Sequence, residues 1–258
     1  MMDVIFFDDL WRRPRRVKAI GTPSRVVARD PIPYDLHQQV RCVMPWPKDH
    51  KARTRERIIE AAAEAFRARG VAGVRIEQIM ADAGLTHGGF YAHFSSKDEL
   101  VGPALERASV QTLEMLGAVA RALEDDERFG AAIDAYLSRA HAAHPERGCP
   151  VAALGAEVAR SGGTARRDLA QGIKERLAWM RELLPKRWSR GGGEQDEQVV
   201  GTLACMVGGV ILARAVGGKE ADTILDACRR FLHRTSEAKA TPASAHPATS
   251  GSRQLERV

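Results

Sequence analysis

Gly84-Leu85-Thr86-His87-Gly88-Gly89-Phe90-Tyr91-Ala92-His93-Phe94-Ser95-Ser96-Lys97-Asp98-Glu99-Leu100 decides how this chain folds. Gly84 stops one helix, and Thr86 stands where it can cap a short aromatic one. Ser95 or Ser96, ahead of Asp98 and Glu99, opens a longer helix with acids in the turn where the dipole favours negative charge. Phe90 and Phe94 are four residues apart, so both can pack inward from one helical face. The outward face is then small or polar. Working upstream, Ile58, Ile59, Ala62, Ala65 and Phe66 share one side of a helix from about Arg53 to Arg69, which Gly70 ends. Ile76, Ile79, Met80 and Ala83 line a short second helix that closes at Gly84. Two helices, a tight turn and a short third helix make a helix-turn-helix, whose last element enters the major groove of DNA when its neighbours hold it rigidly.

The outward residues suit that task. Gly88 and Gly89 each weaken an isolated helix by about 1 kcal/mol relative to Ala, so tertiary packing must hold this one, and their missing side chains permit close backbone approach. Thr86, Tyr91, His93 and Lys97 bring hydroxyl, imidazole and ammonium donors that match phosphate oxygens. Each taken alone also reads as a half-buried or solvated side chain; their joint spacing points to phosphate. His87 opens the short helix and is expected at a base edge, with a solvent-facing position as the alternative. Lys48, Lys51, Arg53, Arg55 and Arg57 crowd the start of the first helix, where basic charge opposes the dipole and a polyanion relieves the cost. A solvated charge run is the other reading.

The chain has 258 residues, a formal net charge of +6, and a hydrophobic share of 44% of which little is aromatic. Dominance of Ala, Arg, Leu and Gly favours helix over sheet and predicts an all-α protein. Cys42, Cys149, Cys205 and Cys228 form no CxxC pair, so no metal site, cofactor or disulfide framework is expected, and reduced thiols suit a cytoplasmic protein. No signal peptide opens the chain, no run of about 18 apolar residues is seen, and no membrane partner is expected. Residues 1–47, rich in Pro and Arg, show no sustained period and read as a disordered extension, with Met44 as a candidate internal start. Residues 48–101 form the helix-turn-helix domain and 102–235 a second helical domain; the helix opened at Ser95 or Ser96 continues to about Leu123, and further helices lie near 127–144, 150–160, 165–184, 195–216 and 219–234. A disordered tail covers 236–258.

Thr54-Arg55-Glu56-Arg57-Ile58-Ile59-Glu60-Ala61-Ala62, followed by Phe66, Gly70, Ile79, Ala83-Gly84-Leu85-Thr86, Phe90-Tyr91-Ala92-His93-Phe94 and Ser96-Lys97-Asp98-Glu99-Leu100, resembles the TetR/AcrR family of bacterial transcription regulators. The resemblance implies a DNA-binding head on a larger body that binds a small-molecule inducer and forms a homodimer, and a repressor released from a near-palindromic operator. The Thr or Ser usual at the start of the family's second helix is replaced by Val74-Arg75, and Arg75 is expected to contact phosphate in its place. A ligand cavity is implied among residues 104–185, with Met115, Leu116, Phe129, Tyr136, Leu137, Leu154, Trp179 and Met180 as candidate lining; simple core is the alternative. The last two helices correspond to the family's dimer interface, which would place Gly201, Cys205, Gly208, Gly209, Leu212, Ile224, Leu225, Cys228 and Phe231 between subunits. Gly148 to Glu157 resembles a branch whose regulators carry a cysteine that responds to electrophiles or oxidants, so Cys149 at a helix start reads either as a thiol sensor or as a packed junction residue. An enzyme using Cys149 with His141 or His144 lacks an evident orienting group or oxyanion motif, and no catalytic residue is expected.

Overall fold

The computed structural model describes residues 49–184 and 192–238. The extension 1–47 with Cys42 and Met44, the basic residue Lys48, and the tail from 239 lie outside the described residues. The described elements are helices: α1 (His50–Arg69), α2 (Ile76–Asp82), a 3-10 helix (His87–Ala92), α3 (Lys97–Arg121), α4 (Asp125–Tyr136), α5 (Arg139–Ala143), a 3-10 turn (Pro145–Arg147), α6 (Pro150–Ser161), α7 (Gly163–Glu182), α8 (Gly192–Val216) and α9 (Gly218–Ala238). The helix expected over 127–144 is two helices. Leu137 leaves helical geometry at φ −84°, ψ 38° after closing α4 onto Ile133, and the Ser138 hydroxyl accepts the His141 N–H at 3.1 Å to start α5.

The described chain forms two compact units: residues 49–110 with His144–Leu169, and Gln111–Ala143 with residues 170–238. Segment 144–169, assigned by sequence to the second domain, therefore packs with the head. Arg67 supplies a physical reason. It projects from the apolar face of α1, is 3% exposed, and donates through Nε to the Ala63 carbonyl at 3.0 Å and through Nη1 to the Gly148 and Ala108 carbonyls at 3.1 and 3.4 Å. Burial pulls its pKa down to about 10 against the opposing pull of Glu64 and Glu60, so it stays charged at pH 7. A buried guanidinium is tolerable only where carbonyls take its N–H groups, and these carbonyls gather α1, α3 and the start of α6 around it. Arg107 of α3 adds an ion pair to Glu60 of α1 at 2.6 Å.

In the second unit α8 lies against α9 and α5. Val199, Leu203, Met206, Val210 and Ala213 of α8 are buried, recurring at alternating spacings of four and three that keep one seam facing inward. Arg214 donates to the His141 and Ala142 carbonyls at 2.9 and 3.1 Å, satisfying the end of α5. Arg139 pairs with Asp222, and His233 with Asp134 at 2.7 Å, tying α9 to α5 and α4.

Candidate nucleic-acid interface

Local chemistry positions the interface. Gly84, at φ 66°, closes α2: the Leu85 N–H reaches the Met80 carbonyl at 2.8 Å and the Gly84 N–H reaches that of Ala81 at 2.9 Å. Arg57 donates to the Ala83 carbonyl at 2.6 Å, so this basic residue of α1 caps α2 and is not part of a free charge run. Thr86 is extended and makes no side-chain cap bond, and the element after it is a 3-10 helix rather than an α-helix, begun by Gly89 N–H to Thr86 C=O at 3.0 Å. Two adjacent glycines leave too little helix propensity for more than this short piece. Phe90 and Phe94 are buried with ring centroids 5.7 Å apart, and they hold the segment. Ser96 Oγ accepts the Glu99 N–H at 3.3 Å, and the Glu99 carboxylate accepts the Ser95 N–H and hydroxyl at 2.7 and 2.6 Å, which starts α3 and lowers the Glu99 pKa.

The outward face is then laid out. Tyr91 is 59% exposed, with its ring edge-on to Phe90 and His87. His87 is exposed, 3.5 Å from Glu77. A Cβ on Gly88 would meet nothing within 4 Å, whereas one on Gly89 would make ordinary contact with Met80 Cε at 3.6 Å and Thr86 Oγ1 at 3.8 Å. His93 closes the segment. Burial, then Lys51, Arg55 and His50, hold its imidazole below the usual histidine value, leaving it neutral at pH 7 beside a group of cations. Arg55 stacks on Phe94 with its guanidinium carbon 4.8 Å from the ring centroid, and Arg53 pairs with Asp49.

One expected role changes. Lys97 donates to the carbonyls of Val71 at 2.9 Å and Val74 at 3.1 Å, so two of the ammonium's three N–H groups anchor the turn between α1 and α2 and are not available to phosphate. Arg75 is the exposed N-cap of α2 and offers no side-chain acceptor in place of the missing Thr or Ser; Gln78 supplies only the reciprocal bond of a capping box, its Oε1 accepting the Arg75 N–H at 3.0 Å. Arg67, Gln78 and Glu157 went unread in the sequence. A basic residue on the apolar face of α1 and a single acid inside α6 were their signals.

In the second unit Leu116, Phe129, Tyr136, Leu137 and Met180 are buried and Met115 and Trp179 partly so, while Leu154 lies in the first unit. Tyr136 packs edge-on against His141 at 4.4 Å, and His141 Nδ1 sits 2.6 Å from the Tyr136 carbonyl. Cys149 is fully buried in the first unit, and His144 Nδ1 lies 3.2 Å from the Glu146 carboxylate. The seam residues separate into two kinds. Gly201 and Gly208 have open space around a notional Cβ, and Leu212 and Phe231 are more than half exposed. Gly209 and Leu225 face inward: a Cβ on Gly209 would lie 2.9 Å from Leu137 Cδ2 and 3.0 Å from Cys228 Sγ, and Leu225 is 2% exposed. Cys205 and Cys228 are half-buried; burial and the adjacent Cys228 thiol push the Cys205 pKa up to about 11, the behaviour of a packed thiol. Ile224 is half-buried. Helix α8 is also long and apolar enough over Gln195–Val216 to cross a membrane by composition, with a mean hydropathy of 2.0. Its apolar residues form one buried seam and one exposed strip.

This head is that of a helix-turn-helix protein. Residues 58–102 match the model of the bacterial regulatory proteins of the tetR family. The HTH-type transcriptional repressor SCO4008 of Streptomyces coelicolor is 37% identical over 93 residues, 36% of this chain and 45% of that protein. The HTH-type transcriptional regulator TtgR of Pseudomonas putida is 46% identical over 59 residues, 23% of this chain and 28% of that protein. The matched stretches thus span less than half of these curated relatives. A TetR transcriptional regulator from Chloroflexus aurantiacus J-10-FL shares the fold with a TM-score of 0.61 at 29% identity, covering 71% of this chain and 94% of that one. Residues 58–102 thus carry a helix-turn-helix of the tetR type, and the helical region that follows shares its fold with TetR-family regulators.

Proposed function

We propose that the chain is a transcriptional repressor that binds a near-palindromic operator as a homodimer, seating His87–Ala92 in the major groove. The observation that carries this reading is the surface of that segment. Gly88 has free space where a side chain would go and Tyr91 is 59% exposed, so the fold itself needs neither, while Lys51 and Arg55 lie near the neutral His93 that closes the segment. A backbone left bare next to a tyrosine hydroxyl and clustered cations suits phosphate and groove contact. Thr86, His87, Gly89, Arg53 and Arg75 complete the proposed contact set. Lys97 acts by holding the turn.

The exposed strip of α8, with Gly201, Gly208 and Leu212, and Phe231 of α9 are assigned to the two-fold interface, which would set two heads on successive grooves. The second unit is read as the body that takes a small-molecule inducer, in keeping with the family resemblance, and the protein as cytoplasmic. Cys149 is read as a packed junction residue. The test is enrichment of duplexes from a random-sequence pool by the wild-type protein, followed by titration of the enriched duplex across a salt series. Enrichment of an inverted repeat with affinity that falls steeply as salt rises is the expected result; no enrichment refutes the reading.

A further inference from the structure

The turn from Gly70 to Val74, which joins α1 to α2, is held from two sides by ionised side chains. From α6, Glu157 accepts the Ala72 N–H at 2.8 Å through Oε1 and the Val71 N–H at 3.1 Å through Oε2. From the first turn of α3, the Lys97 ammonium donates to the Val71 and Val74 carbonyls at 2.9 and 3.1 Å. One short stretch of backbone thus has its amides on a carboxylate and its carbonyls on an ammonium, and charge-assisted bonds are the stronger kind. Gly70 is part of the same device. Its φ is 77°, and a Cβ there would stand 2.8 Å from Glu157 Oε2, so the carboxylate reaches the turn because residue 70 has no side chain. The turn is tight as well: a Cβ on Gly73 would lie 2.3 Å from the Arg69 carbonyl oxygen.

Val74 leads directly into Arg75, the extended N-cap of α2, and α2 is closed at its far end by Gly84 and the Arg57 cap. This seven-residue helix, held at both ends, packs against the recognition segment His87–Ala92. We propose that Glu157 is a positioning residue for DNA recognition. By holding the Val71 and Ala72 amides from α6, opposite Lys97, it sets the angle at which α2 and His87–Ala92 meet the groove, without itself touching DNA. This rests on the DNA-binding reading above.

The experiment uses the full chain and the duplex enriched by the wild-type protein, with a scrambled duplex of equal length. E157A, E157Q, K97M and the E157A/K97M pair are titrated by fluorescence anisotropy over a salt series, and amide exchange at Val71 and Ala72 is followed by NMR. E157A is expected to weaken the enriched duplex about tenfold while leaving the scrambled duplex and the salt slope unchanged, because the number of phosphate contacts stays the same. E157Q keeps one acceptor and falls between wild type and E157A, and both variants speed exchange at Val71 and Ala72. The double variant is no weaker than the worse single one, since both act through one turn. Equal losses on both duplexes with a lowered melting temperature, or enriched-duplex affinity unchanged despite faster exchange, overturn the inference. A wild-type protein that enriches no duplex overturns the DNA-binding reading and this inference together; enrichment by wild type with indistinguishable variants overturns the inference alone.

Discussion

The recognition segment and the α8–α9 pair both expose groups that an isolated chain does not need, and the two surfaces differ in kind. Around His87–Ala92 the surplus is a bare backbone, one exposed tyrosine and neighbouring cations. Along α8 it is aliphatic: Val200, Ile211, Leu212 and Val216 are between 45% and 55% exposed, while the opposite seam from Val199 to Ala213 is buried. Polar donors beside cations remain soluble while waiting for a polyanion, whereas an apolar strip of this length is costly in water until another apolar strip covers it. One surface therefore suits a partner that comes and goes with salt, and the other suits a second copy that stays.

The widest separation between inward and outward sides of the helix pair comes from two leucines. Leu225→Glu places a charge at a 2% exposed position and is expected to cost about 3 kcal/mol or more, read as loss of the helical melting transition. Leu212→Glu, at a 55% exposed position, should leave each subunit helical and convert dimer to monomer by light scattering. A dimer that persists in Leu212→Glu would remove α8 from the interface. Gly209→Val follows at about 1–3 kcal/mol by denaturant melt, because the new side chain must displace Leu137 and Cys228; Gly208→Ala meets no such clash and should raise stability by up to about 1 kcal/mol through helix propensity.

Effects on the recognition segment are smaller in stability and larger in binding. Tyr91→Ala removes an exposed ring and should weaken the enriched duplex about tenfold, a loss of about 1.4 kcal/mol, at an unchanged melting temperature. Gly88→Ala sharpens the point. It relieves a helix-propensity cost of about 1 kcal/mol with no internal clash, so a protein at least as stable but weaker on DNA shows that Gly88 is retained for contact. The smallest effect is a pH slope. Because the folded pKa of His93 is depressed, the unfolded chain binds the proton first as pH falls, so the stability present above the unfolded histidine value is lost progressively down to the folded one. His93→Gln should flatten the stability slope just below pH 6.5 in denaturant melts, and an unchanged slope would assign the titration elsewhere.

Much of the head was legible before the structure because its signals are local. Gly84, the Ser96 and Glu99 pair and the Phe90 and Phe94 spacing act within a turn or two of helix, where propensity and capping dominate. What misled were residues whose partners lie far along the chain. Lys97 looks like a free cation until Val71 and Val74 are folded beside it, and Arg57 looks like part of a charge run until Ala83 arrives, 26 residues on. Gly208 and Gly209 are adjacent in sequence, yet a helix turns by about 100° per residue, so one can face open space while the other meets Leu137 and Cys228.

By itself the sequence determined that the chain is helical, that it carries a helix-turn-helix whose second half runs from Gly84 to Leu100, and which side chains crowd that segment, since all of this follows from periodicity and short-range hydrogen bonding. Only the tertiary structure decided that α6 belongs with the head, that Arg67 and Glu157 bind it there, and which seam of α8 is left bare. Those outcomes depend on which carbonyls, amides and apolar faces meet across tens of residues, and no local pattern encodes that meeting.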